Sequence, residues 1–295
     1  MLYTIENECL KVSINDMGAE LQSVFSKKTN VEYLWQGNPE YWAGHAYNLF
    51  PTIGRMIEGK YIYKNKEYAI RLHGLARYYE FALEKQTANS LVFLFKDNEE
   101  TRAAYPFRFE FRAIYTLNGN ALTVRCEATN LGEEPLICSF GGHPGFNVPF
   151  DKGNFDDYYL EFDKNTISGT PRQQLVSVNY FMEDKTAEYP LVDDTKIPLR
   201  HDLFDGDAII LENTPRCVDI KSPLTSRFVR VKFDDFKFIG FWHTVKKDAP
   251  FVCIEPWTAL PAIEGKTTNL ETKANMYHIP TGETQGVEYI VEIHE

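Results

Sequence analysis

Three short segments carry residues whose types and settings suit proton transfer. Glu255 lies in FVCIEPWTALPA, residues 251–262, where Ile254, Pro256 and Trp257 flank the acid. Such neighbours strip water from a carboxylate, which raises its pKa and makes it a better base near neutral pH unless an Arg or Lys pairs with it. His143 lies in FGGHPGFNVPF, between paired glycines and Pro144, in backbone that can be neither regular helix nor undisturbed strand. His73 lies in RLHGLARYYEF beside Gly74, which lets the backbone approach a neighbour or a ligand closely. If Glu255 and His143 converge, they form an acid/base pair of unlike intrinsic pKa, suited to taking one proton in as another leaves. The competing structural readings are a buried glutamate paired with an arginine or capping a loop amide, and a turn histidine that satisfies a buried carbonyl.

The other histidines have plainer settings. His201, His243, His278 and His294 read as surface or partly buried structural residues, and His45 in YWAGHAYNLFP as core or as a sugar-binding wall. Tyr41, Trp42, Trp242 and Trp257 offer flat apolar faces for the C–H side of a pyranose, but with aromatics at 14% most must be core. No GxSxG elbow, Walker loop, GxGxxG segment opening a helix, or HExxH pair occurs. No spacing suggests a metal site, and neither metal nor cofactor is expected.

Strands must position these residues. Phe109, Phe111, Ala113 and Tyr115 alternate along one face, run into Asn118-Gly119, and return through Leu122, Val124, Cys126 and Ala128, which predicts a β-hairpin over 108–129. Similar alternation appears at 61–70 around KNK, at 217–233 around SPLTS, at 91–95 and in the closing GVEYIVEIH. No long amphipathic window with both caps exists, so at most a few short helices interrupt the sheet. The region 163–205, rich in Asp, Asn, Pro and Thr, reads as a long excursion with short strands rather than a domain boundary. The expectation is an all-β fold, one large antiparallel β-sandwich domain over 1–295.

Composition limits the partners. A formal net charge of -11, with acids spread along the chain, disfavours nucleic acid and anionic membranes. Five dispersed cysteines without a CxxC pair read as buried thiols in a reducing compartment. The N-terminus lacks a basic region followed by an apolar run, and no window resembles a membrane span, so a cytoplasmic location is expected, as a monomer or weak homodimer.

Taken together and in this order, the segments resemble the aldose 1-epimerase (galactose mutarotase) superfamily, most of all its LacX-like branch. The opening ENECLKVSINDMGAELQSVFSKKTNVEYLWQG is similar to the family's N-terminal hairpins with their GAEL turn, and NLFPTIGR follows, so the resemblance spans essentially the whole chain. It implies a galactose-mutarotase-type sandwich and interconversion of the α and β anomers of a free aldose, a small-molecule sugar, without cofactor or metal. It further implies Glu255 in IEPWT as the general base at the anomeric hydroxyl and His143 in GGHPGFN as the acid at the ring oxygen. His73 in LHGLAR would hold the ring oxygen or a neighbouring hydroxyl, and Arg55 in TIGR would bind hydroxyls. Asp207 in LFDGDAIIL is the candidate hydroxyl-binding aspartate, with Asp205 the alternative, and Trp257 is a candidate substrate-binding wall. Two departures touch the pocket walls: galactose-specific members carry an aromatic where this chain has Gly145, and PQT where it has PWT.

Other readings remain. A hexose-6-phosphate 1-epimerase would use the same pair and draw on Arg71 and Arg77 for the phosphate. A non-catalytic sugar-binding protein on the same fold would need neither a poised acid nor a base. A glycoside hydrolase would need two carboxylates flanking the scissile bond.

Overall fold

The alternating sequence folds into two large antiparallel sheets. The computed structural model describes residues 1–164 and 169–295. One sheet has nine strands, in the order Lys196–Pro198, Tyr159–Phe162, Cys217–Lys221, Phe228–Lys232, Thr284–His294, Ala121–Asn130, Phe109–Asn118, Ser90–Lys96 and Ala82–Gln86. The other has seven, in the order Met182–Glu188, Arg172–Val176, Ile209–Glu212, Phe238–Trp242, Phe251–Trp257, Gly141–Asn147 and Ala46–Leu49. Among the described residues three smaller sheets accompany these, including an N-terminal one of Leu2–Glu6, Leu10–Asn15 and Leu21–Ser26. Among the described residues, the one α-helix is Glu99–Ala104, started by a capping box between Asn98 and Thr101. No helix of the described residues is long and apolar enough to cross a membrane.

The expected hairpin forms with Asn118 paired to Ala121, so the turn is Gly119-Asn120, one residue later than the sequence suggested, and Gly119 takes the positive φ of 57°. The region 163–205 does carry short strands, Arg172–Val176, Met182–Glu188 and Lys196–Pro198. Its residues 165–168 lie outside the described part.

The two-residue period decides which side chains of the seven-stranded sheet face the main core and which face the other way. Ile209, Leu211, Ile239, Phe241, Val252 and Ile254 join Phe109, Phe111 and Tyr115 of the nine-stranded sheet in one core. The intervening residues Ile210, Phe238 and Trp257 belong to a second apolar cluster, and Phe251 and Cys253 to a third. Glu255, lying between Cys253 and Trp257, shares their face of the strand. Each fully buried Ile or Phe contributes roughly 1.5–3 kcal/mol, so a one-residue slip that drove Glu255 into the main core is strongly disfavoured.

Candidate active site

A single lateral row across the seven-stranded sheet builds the site's floor. Tyr47 pairs with His143, Glu255 pairs with Gly240, and Gly240 pairs with Ile210. The ladder that pairs Gly141 with Trp257 and Gly145 with Cys253 sets His143 opposite Glu255. That ladder skips residues 142–144, where Pro144 has no N–H to give. The cross-strand placement brings His143 Nε2 to 3.2 Å from Glu255 Oε2. Both side chains are buried, Glu255 at 2% exposure; the pair lies within ion-pair distance, and neither Oε2 nor His143 Nδ1 has a hydrogen-bond partner.

Burial acts on the two partners in opposite directions. It raises the Glu255 carboxyl well above the usual carboxylate range, and the nearby negative charge of Asp207 adds to this. The Trp257 indole N–H opposes the shift, although it lies outside hydrogen-bond geometry. Burial, reinforced by the Arg77 guanidinium, pulls His143 down to about 3. Burial thus disfavours charge on either partner and favours the form of the pair in which its one proton lies on the carboxyl, 3.2 Å from the imidazole.

Loops supply the rim. The cleft, about 330 Å³, is lined by Glu255 and His143 together with His73, Arg55, Asp207 and Trp257. His73 has φ 62°, an uncommon conformation for a residue with a side chain, and Gly74 beside it has φ 82°. A Cβ on Gly74 would stand 2.4 Å from the Phe50 carbonyl oxygen, so only glycine allows this approach. The Gly54 N–H donates to His73 Nδ1 at 3.1 Å, and the His73 N–H donates back to the Gly54 carbonyl at 2.9 Å. Burial keeps His73 neutral, its pKa well below the usual value. With Nδ1 accepting, the ring proton sits on Nε2, which makes His73 a hydrogen-bond donor rather than a proton source.

Asp207, not Asp205, lines the cleft; Asp205 is exposed at the end of the preceding turn. Burial raises the Asp207 carboxyl, opposed first by Arg55. Arg55 is exposed and stacks over Tyr180, 5.3 Å from its ring centroid. Arg77 lines the cleft with its guanidinium 3.6 Å over the Tyr47 ring, whereas Arg71 is exposed and stacks on Tyr78. Trp42 stacks on His143 at 4.9 Å between centroids, and Trp242 meets it edge-on at 5.7 Å. A Cβ at Gly145 would lie 3.0 Å from the Trp42 ring, so Trp42 occupies the space that an aromatic at 145 would need.

Glu255, His143, His73, Arg55, Asp207 and Trp257 thus lie in one cleft, and so do two of the other three suggested aromatic walls, Trp42 and Trp242, but not Tyr41. Sequence reasoning did not single out Leu72, Val176, Tyr180, Met182, Ile210 or Pro261, which complete the walls. Their apolar types carry no signal of their own. His45 stays outside the cleft, 3.9 Å from Glu20. One group among the described residues could hold a metal ion: His143, Cys253 and Glu255, with ligand atoms within 4.8 Å of one another. Burial pushes the Cys253 thiol well above its usual pKa, which makes it a poor ligand at neutral pH.

Comparison with known proteins agrees with this architecture. The sequence model of the aldose 1-epimerase family matches residues 1–273. The plasmid-encoded protein LacX of Lactococcus lactis subsp. lactis is 34% identical over 302 residues, covering 99% of each chain. A galactose mutarotase related enzyme from Lactobacillus acidophilus superposes with a TM-score of 0.94 at 38% identity, over 100% of this chain and 98% of that one. A galactose mutarotase-like protein from Lactobacillus casei superposes equally well, TM-score 0.94, at 31% identity over 100% of both chains. The chain belongs to the aldose 1-epimerase family, on its LacX-like side.

Proposed function

We propose that the protein is a mutarotase that interconverts the α and β anomers of a free hexose, with Glu255 as base and His143 as acid. The observation that carries this reading is the buried 3.2 Å contact between His143 Nε2 and Glu255 Oε2 at the cleft floor. A proton crossing that contact turns the neutral pair into imidazolium and carboxylate with no change in total charge. Glu255 then takes the proton from the anomeric hydroxyl as His143 gives one to the ring oxygen. The C1–O5 bond breaks, the anomeric carbon becomes an aldehyde, and the pair is again neutral. Burial, which disfavours the charge-separated pair, makes it a transient between two neutral forms, one with the ring closed and one with it open. Rotation of the aldehyde and the reverse steps close the ring on its other face.

The remaining residues hold the sugar. His73 Nε2–H donates to the ring oxygen or a neighbouring hydroxyl, Arg55 and Asp207 bind hydroxyls, and Trp257 with Trp42 and Trp242 gives apolar faces to the C–H surface. Polarimetry of freshly dissolved α-glucose and α-galactose tests the reading. The parent should accelerate relaxation, and Glu255→Gln should lose about 10²–10⁴-fold. A Gln variant within a few-fold of the parent would remove Glu255 from the role of base. Arg77 in the cleft favours a second reading, a hexose-6-phosphate substrate, which competition between glucose and its 6-phosphate separates from the first.

A further inference from the structure

The segment Trp242-His243-Thr244 ties together three parts of the cleft wall. His243 is fully buried, with its ring 4.4 Å from Phe204 and 5.5 Å from Phe155. Its Nδ1 lies 2.8 Å from the Thr244 carbonyl oxygen, which can only accept, so Nδ1 carries the proton. Burial pulls His243 down to about 4, so Nε2 is a bare acceptor at neutral pH. That acceptor lies 3.1 Å from His201 Nδ1, which must donate. The direction of both hydrogen bonds is thereby fixed.

Each end of this chain reaches the site. His201 opens the turn His201–Phe204, and the Phe204 carbonyl accepts the Asp207 N–H at 3.0 Å. Asp207 leaves that turn at φ 90° and enters the cleft. Thr244 Oγ1 donates to the Tyr41 carbonyl at 3.0 Å, next to Trp42, which covers His143. Trp242 itself stands in the cleft wall. A buried imidazole bonded to a half-buried one is a costly way to fill such a space, since leucine or phenylalanine at 243 would pack there without polar atoms to satisfy.

We propose that His201 and His243 are positioning residues for the sugar site, their hydrogen bond holding Asp207 in register with Trp242 and Trp42. The proposal rests on the mutarotase reading above. Asp205 acts on His243 through space and opposes the lowering that burial causes.

The test compares His201→Asn, whose side-chain amide can place a donor where Nδ1 stands, with His201→Leu, which has none. Polarimetric kcat and KM are measured with glucose and galactose, sugar affinity is read independently from tryptophan fluorescence, and thermal melts check folding. The Leu variant should raise KM and Kd about tenfold with kcat within about threefold, and the Asn variant should restore both. A folded Leu variant with parental KM and Kd, or an Asn variant as impaired as Leu, overturns the positioning role. Should the Leu variant not fold, Thr244→Val, which frees the Tyr41 carbonyl, should raise Kd likewise, and a parental Kd there overturns the proposal. A parent that neither turns over nor binds either sugar overturns the mutarotase reading instead, and this role with it.

Discussion

Gly240 is the cross-strand partner of Glu255, so a side chain at 240 would stand on the same face of the sheet as the carboxylate. An added Cβ would lie 3.4 Å from the Glu255 Cβ and 3.5 Å from the Trp257 ring, ordinary contact distances. Gly240→Ala should therefore fold with a melting temperature close to the parent's. Gly240→Val adds two further methyls on the face that carries Glu255 and Trp257, and KM for the sugar should rise at least about tenfold. A Val variant with parental KM would mean that the sugar does not lie over this position.

Activity should follow the one-proton state of the His143–Glu255 pair. Because burial holds His143 down at about 3 and raises Glu255, a second proton is taken up only well below pH 6.5, and the one proton is lost only well above the usual carboxylate range. The pH profile of kcat/KM should stay flat through pH 6.5 on its acid side and fall on the alkaline side as Glu255 ionises without its proton being replaced. An acid limb centred near 6.5 would show an ordinary imidazole and contradict the buried pair.

The His73 tautomer gives a separate expectation. Asparagine tolerates positive φ and can accept the Gly54 N–H where Nδ1 does, but it lacks a donor at the Nε2 position. His73→Asn should keep its fold and lose about tenfold in kcat/KM, the effect of one hydrogen bond of about 1.4 kcal/mol. Parental rates in this variant would show that Nε2–H does not touch the sugar in the transition state.

Stability should depend on pH through the buried histidines. His143 at about 3 and His243 at about 4 stay neutral in the fold, while the unfolded chain protonates them near 6.5. The unfolded state then binds more protons below pH 6.5, so this stability is complete above 6.5 and is lost as pH falls toward 4 and then 3. The raised Glu255 acts oppositely, its contribution being lost as pH rises through its folded value. Melting temperatures from pH 7 to 4.5 should fall, and His243→Leu should flatten the slope by up to about 1.4 kcal/mol per pH unit. An unchanged slope would mean that His243 protonates in the fold.

The strands were legible because period-two alternation is local: 109–118, 121–130 and 284–294 can each be read without knowing a neighbour. The turn at Gly119 was displaced by one residue because Asn118 and Gly119 both accept positive φ, and only the ladder decides between them. Glu255 and His143 could be ranked from their flanking prolines, glycines and aromatics, yet nothing local says that their strands are neighbours. Trp42 over Gly145 shows the same limit, since a ring from a distant loop fills the space beside that glycine. His243 read as a structural residue; its burial and its partner His201 come from packing between the turn 201–204 and the end of a strand.

The division between sheet and loop has a consequence for how such a protein can change over generations. His143 and Glu255 are locked into central strands, whereas Arg55, Asp207 and Trp42 project from connecting segments. On the mutarotase reading, a lineage can thus exchange one sugar for another by rewriting the rim while inheriting the reaction intact.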